Sequence, residues 1–76
     1  ELLNIAGIGA SIVLFPADDK VIVSARSAGE TNVQVILEKV GGGGNAAAAG
    51  AQVPGQSVEE VARQLKAAID QYFETE

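Results

Sequence analysis

Four consecutive glycines, Gly41, Gly42, Gly43 and Gly44, constrain this chain more than any other feature. A glycine inside a helix costs about 1 kcal/mol relative to alanine, so no helix runs through four of them. The segments on either side of the run must therefore be built separately. Upstream, Val33, Ile36, Leu37 and Val40 recur at helical spacing, and Thr31-Asn32-Val33-Gln34 has the pattern of a capping box. This predicts a short amphipathic helix that stops at Gly41, where glycine adopts the left-handed cap conformation at least cost. A glycine-rich loop then leaves the helix end.

The remaining elements can be read from local pattern. Residues 11–15 and 21–23 are β-branched and apolar, and Pro16-Ala17-Asp18-Asp19 between them has turn chemistry, so the domain opens with a hairpin. After Asn45 the alanine-rich residues 46–53 have helical composition but are bounded by glycine and by Pro54-Gly55, and their last part is expected to be a strand. Ser57-Val58-Glu59-Glu60 is a second capping box. Behind it Val58, Val61, Ala62, Leu65, Ala68, Ile69, Tyr72 and Phe73 trace one apolar helix face. Strand, strand, helix, strand, helix implies an α/β (α+β) fold: a small mixed β-sheet with the helices packed on one face, a two-layer sandwich.

Composition narrows the chemistry. Seventy-six residues make one small domain, and the absence of Cys and His removes disulfides, thiolates and imidazole ligands. Ten acidic residues against five basic ones give a net charge of −5, the wrong sign for gripping nucleic acid by phosphate neutralisation alone. Any nucleotide must be held locally. No apolar stretch reaches the roughly 20 residues of a membrane helix, so no membrane contact by the domain is expected. With no initiator Met and no signal sequence, residues 1–76 read as a single domain excised from a larger protein.

Three segments are candidates for a site. Gly7-Ile8-Gly9 resembles the start of a dinucleotide fingerprint, but a strand comes next where the fingerprint needs a helix. The glycine run is no Walker loop, because no Lys-Ser or Lys-Thr succeeds it. Its backbone amides could nonetheless approach a phosphate closely, and the alternative is a flexible connector. Arg26 lies at a strand end between the hydroxyls of Ser24 and Ser27. A guanidinium there suits paired hydrogen bonds to phosphate, or a plain solvated surface position.

The segments Val23-Ser24-Ala25-Arg26-Ser27, Asn32-Val33-Gln34-Val35-Ile36-Leu37-Glu38, the four glycines and Asn45-Ala46-Ala47 occur in this order at close spacing. Together they resemble the DHH-associated (DHHA) domain of the DHH phosphoesterases, most closely the GdpP/YybT-type cyclic-di-AMP phosphodiesterases, whose C-terminal lobe carries SARS, NVQVIMEKLGGGGH and NAA. The resemblance implies a two-lobe enzyme. A preceding DHH lobe would hold Mn2+ with Asp and His side chains, and this lobe would close over the substrate, a cyclic dinucleotide or short oligonucleotide. It implies no cofactor in this domain, no catalytic residue here and no activity for the domain alone. Carried over by position, Arg26 and Ser27 match the family's Arg-Ser pair, and Gly42, Gly43 and Gly44 its phosphate-facing loop, with Asn45 at the loop's end. Arg26 and the loop from Gly41 to Asn45 are expected on one side of the sheet, facing the DHH lobe.

The family's loop ends in His, where this chain has Asn45. Either Asn replaces that His, or a segment containing the His is missing between Gly44 and Asn45; the match to NAA favours the second. The parent of this type is usually tethered by a membrane segment, with this part in the cytoplasm. Two other roles stand beside hydrolysis of cyclic-di-AMP: a non-catalytic nucleotide-binding or interaction module, and the same lobe of an oligoribonuclease or exonuclease of the superfamily.

Overall fold

The computed structural model describes residues 2–5 and 9–75. Gly7 and Ile8 of the Gly7-Ile8-Gly9 segment lie outside them. The elements are β1 (Leu2–Ile5), β2 (Ala10–Ala17), β3 (Lys20–Ser27), α1 (Val33–Glu38), β4 (Gly43–Gly44), β5 (Ala48–Pro54) and α2 (Val58–Thr75). The strands form one sheet in the order β1-β2-β3-β5-β4. Both helices pack on one side of it, which gives the two-layer sandwich expected from the sequence.

The sheet is antiparallel at every described pairing rather than mixed in direction. The cause is the connections. β2 and β3 are joined by a two-residue turn with Asp18 at φ 58°, while α1 together with β4 returns the chain antiparallel to β3. The strands also run further than apolar pattern alone indicates. Pro16 sits inside β2 because β1 pairs only as far as Val13, so no neighbour needs the missing amide.

Alternation along the strands separates two faces. Ile12, Leu14, Val21, Val23, Ala25, Ala49 and Val53 point to the helices and are buried, where they meet Val33, Ile36 and Leu37 of α1 and Val61, Ala62, Leu65 and Ala68 of α2. α2 begins as expected: the Ser57 N–H donates to Glu60 Oε1 at 2.8 Å and the Glu60 N–H to Ser57 Oγ at 3.1 Å. α1 begins one residue later than the sequence pattern suggests. Asn32 is its cap, accepting from the Gln34 and Val35 amides, while Thr31 is buried. Phe73, expected on the apolar face, is 42% exposed and stacks edge-on against Tyr72. It lies one turn beyond Ile69, at the margin of that face.

Candidate functional site

The glycine run is structured, not a free connector. Gly41, at φ 83°, ends α1, and the Gly42 amide closes the helix by donating to Leu37 O at 2.8 Å. The next two residues are β4, an edge strand in which Gly43 faces Gly50 and Gly44 faces Ala49. A side chain on Gly42 would collide with Gly50 O and come within 2.8 Å of Ala51 Cβ. One on Gly43 would meet nothing within 4 Å. Gly42 therefore serves packing, and Gly43 leaves open space.

That space belongs to the face of the sheet away from the helices. Register sets three rows of residues across it. The first is Phe15, Ile22 and Gln52; the second is Val13, Ser24, Gly50 and Gly43; the third is Ser11, Arg26 and Ala48. From Ser24 to Gly43 the second row carries nothing larger than a hydroxymethyl group. It floors an open groove lined by Ile22, Ser24, Gly42, Gly43, Gly50 and Gln52, among others. Arg26 is exposed at the adjoining row, and no carboxylate pairs with it among the described residues.

The electrostatics are asymmetric. None of the five strands contains an Asp or a Glu, although the chain has ten such residues. The strands do contain two of the five cations, Lys20 and Arg26, both at open-face positions of β3. Asp18 and Asp19 occupy the hairpin turn beside Lys20 and offset it, so the Arg26 end is the one suited to an anion. A chain of net negative charge thus presents a face free of carboxylates in its strands.

The sequence-derived residues divide accordingly. Arg26 and Gly43 border the open face, while Gly42 reaches the groove only at its margin, the place of its missing side chain being filled from the helix side by Ala51 and Leu37 O. Ser27 stands on the helix side, opposite buried Ala10, with its Oγ accepting from the Gly29 amide at 3.3 Å; Ser24 is the hydroxyl that shares Arg26's face. Gly44 is paired with Ala49, on the helix side. Asn45 comes directly after Gly44 in the 76-residue sequence, so no segment is missing between them and that expectation is overturned. Its Oδ1 accepts from the Ala47 and Ala48 amides, both at 2.9 Å, which folds the β4–β5 turn. The match of Asn45-Ala46-Ala47 to NAA misleads on this point, because Asn is also what this turn requires.

Gln52 carries no signal in the sequence. It reaches the groove only through the β3–β5 register, and its Oε1 accepts from Lys20 Nζ at 3.0 Å. No group of three or more acidic or other ligating side chains that could hold a metal occurs among the described residues. None of the described helices is long and apolar enough to cross a membrane.

The DHHA1 domain family model matches residues 1–75. The chain belongs to the DHHA1 domain family. It is 45% identical over 76 residues to cyclic-di-AMP phosphodiesterase PdeA of Listeria monocytogenes, an alignment covering 99% of this chain and 12% of that protein. It is 46% identical over 74 residues to cyclic-di-AMP phosphodiesterase GdpP of Geobacillus thermodenitrificans, covering 96% of this chain and 11% of that protein. A membrane protein–large ribosomal subunit bL9 fusion protein of Aster yellows witches'-broom phytoplasma is 39% identical over 67 residues, 87% of this chain and 8% of its own length. The chain thus spans about an eighth or less of these relatives.

Proposed function

We propose that this DHHA1 domain is the substrate-binding lobe of a phosphodiesterase acting on cyclic-di-AMP, and that it takes the dinucleotide on the open face of its sheet. The observation that carries the reading is the strand surface without carboxylates, where Arg26, which pairs with no carboxylate among the described residues, stands beside the glycine-floored groove. A phosphodiester carries charge that Arg26 can meet with paired hydrogen bonds, and Gly43 lets it lie close to the backbone. The two phosphodiesterases of about 45% identity supply the substrate class.

Bond cleavage needs more than this chain holds. The chain has no His or Cys, and no acidic cluster occurs among the described residues, so no metal-dependent step is assigned to it. In this reading the DHH lobe of a longer protein supplies the metal, and the domain contributes grip and orientation. Titration of cyclic-di-AMP into the isotope-labelled chain should move the amide resonances of Arg26, Gly43 and Gly50. Arg26→Ala should weaken binding roughly tenfold to a hundredfold, the usual worth of a charge-assisted hydrogen bond. Binding unchanged by that substitution would refute the role of Arg26.

Asn45 favours a second reading, binding without hydrolysis. It stands where the resemblance puts a His, and its side-chain oxygen is committed to the turn amides. Turnover of cyclic-di-AMP by the full-length protein with Mn2+ separates the two: product formation supports the first, and tight binding without product supports the second.

A further inference from the structure

The row next to the glycine floor is built differently from the Arg26 row. Phe15 is 45% exposed, Ile22 is half-buried beside it, and Gln52 completes the row on β5. Two apolar side chains in line with one amide make a surface on which a flat heterocycle can rest while its edge is read. Ile22 and Gln52 also line the groove that holds Gly43 and Gly50, so these two residues and the glycine floor share one depression, with Phe15 next to Ile22 on β2. Along β3, Ile22 and Arg26 are four residues apart, about 13 Å. Phosphate contact at one end therefore leaves the other end for the base.

The chemistry of Gln52 is directional. A carboxamide pairs with adenine through two hydrogen bonds, its oxygen accepting from N6 and its nitrogen donating to N7. Guanine shows two acceptors, O6 and N7, along the same edge, so the amide oxygen would oppose O6. The contact from Lys20 Nζ to Oε1 restricts which way the amide turns and leaves Oε1 a second lone pair. We infer that Gln52, oriented by Lys20 beside Ile22 and Phe15, is the residue that selects adenine over guanine in the bound nucleotide. The inference rests on the binding function proposed above and adds the base-reading residue to it.

The test compares cyclic-di-AMP with cyclic-di-GMP by calorimetric titration against the wild-type chain and two variants, Gln52→Ala and Gln52→Arg. Gln52 is exposed, and a urea midpoint close to wild type checks that each variant is folded. The wild type should favour cyclic-di-AMP by roughly five- to a hundredfold, the range for one bidentate pair. Gln52→Ala should collapse that preference to within about threefold by weakening cyclic-di-AMP alone, and Gln52→Arg should turn it toward guanine, whose O6 and N7 suit a guanidinium. A preference that survives Gln52→Ala unchanged overturns this inference and leaves the binding face standing. Failure of the wild type to bind either dinucleotide overturns the binding function, and the inference with it.

Discussion

Alanine placed at Gly42 and at Gly43 should give opposite results, though the two glycines are adjacent in sequence. At Gly42 the new methyl would overlap Gly50 O and press on Ala51 Cβ at 2.8 Å and Leu37 O at 3.0 Å. Two of these atoms are backbone, so relief requires shifting β5 or the end of α1 rather than turning a side chain. Overpacking of this kind costs about 1–3 kcal/mol. A domain of this size has only about 4–11 kcal/mol to lose, at the usual stability per residue. With a urea dependence of about 1 kcal/mol per molar, the unfolding midpoint should fall by about 1–3 M. At Gly43 the methyl meets nothing within 4 Å and φ is not positive. The substitution should leave the midpoint unchanged or raise stability by about 0.4–1 kcal/mol, because it restricts the unfolded chain. Since this methyl projects onto the groove floor, Gly43→Ala should also weaken cyclic-di-AMP binding while the fold is retained. A Gly42→Ala variant as stable as wild type would refute the wedged-strand account and return the glycines to the role of a connector.

Two further substitutions probe the frame that holds the face. Ser57→Ala removes the side-chain half of the α2 capping box and should lower stability by about 1 kcal/mol in urea denaturation. The hydrogen bonds from Ser57, backbone first and side chain second, hold the Glu60 carboxyl below its ordinary value of about 4.5. A depressed carboxylate stabilises the fold above its unfolded value and loses that contribution as pH falls through the folded one, so the capping box should weaken on acidification below about pH 4.5. Titration of the Glu60 carboxyl by NMR should find it nearer the ordinary value in Ser57→Ala; no movement would sink the assignment. Tyr72→Phe deletes the oxygen that accepts the Asn32 N–H at 3.0 Å and should cost about 0.5–1.5 kcal/mol, with faster hydrogen exchange at Asn32. Unaltered exchange there would show that the bond does not hold the start of α1.

How legible this fold is in its sequence depends on whether the signal is local. The Ser57–Glu60 box and the spacing from Val61 to Ala68 require no knowledge of distant residues, and both stand in the structure. The hairpin of β2 and β3 is equally local. β4 is not: two glycines have no intrinsic preference for a strand, and only pairing with Gly50 and Ala49 makes them one. The same limit hides Gln52, whose neighbours on the open face come from β3, some 30 residues earlier in the chain. Arg26 can be singled out by type and by its place at a strand end. The face it shares with Ser24 rather than Ser27 emerges only from alternation along β3, once the extent of that strand is known.

β5 shows why composition misleads in this part of the chain. Ala48-Ala49-Gly50-Ala51 would favour helix by its alanines, yet it occupies the sheet between β3 and β4. On its inner side Ala49 is buried and Ala51 packs against the core, and Leu37 O and Gly42 close over the same place; larger side chains would hold α1 off the sheet. On its outer side Gly50 faces Ser24 and Gly43 and keeps the groove shallow-floored. Small residues are thus required on both faces of one strand for unrelated reasons, one of packing and one of access. A Cβ at Gly50 would stand 3.2 Å from Val23 O, so even there the two demands overlap. Gly43 is the position where they part, because its open side bears on the groove and on nothing in the core. Loss of binding there without loss of stability would therefore report on the face itself, whichever nucleotide occupies it.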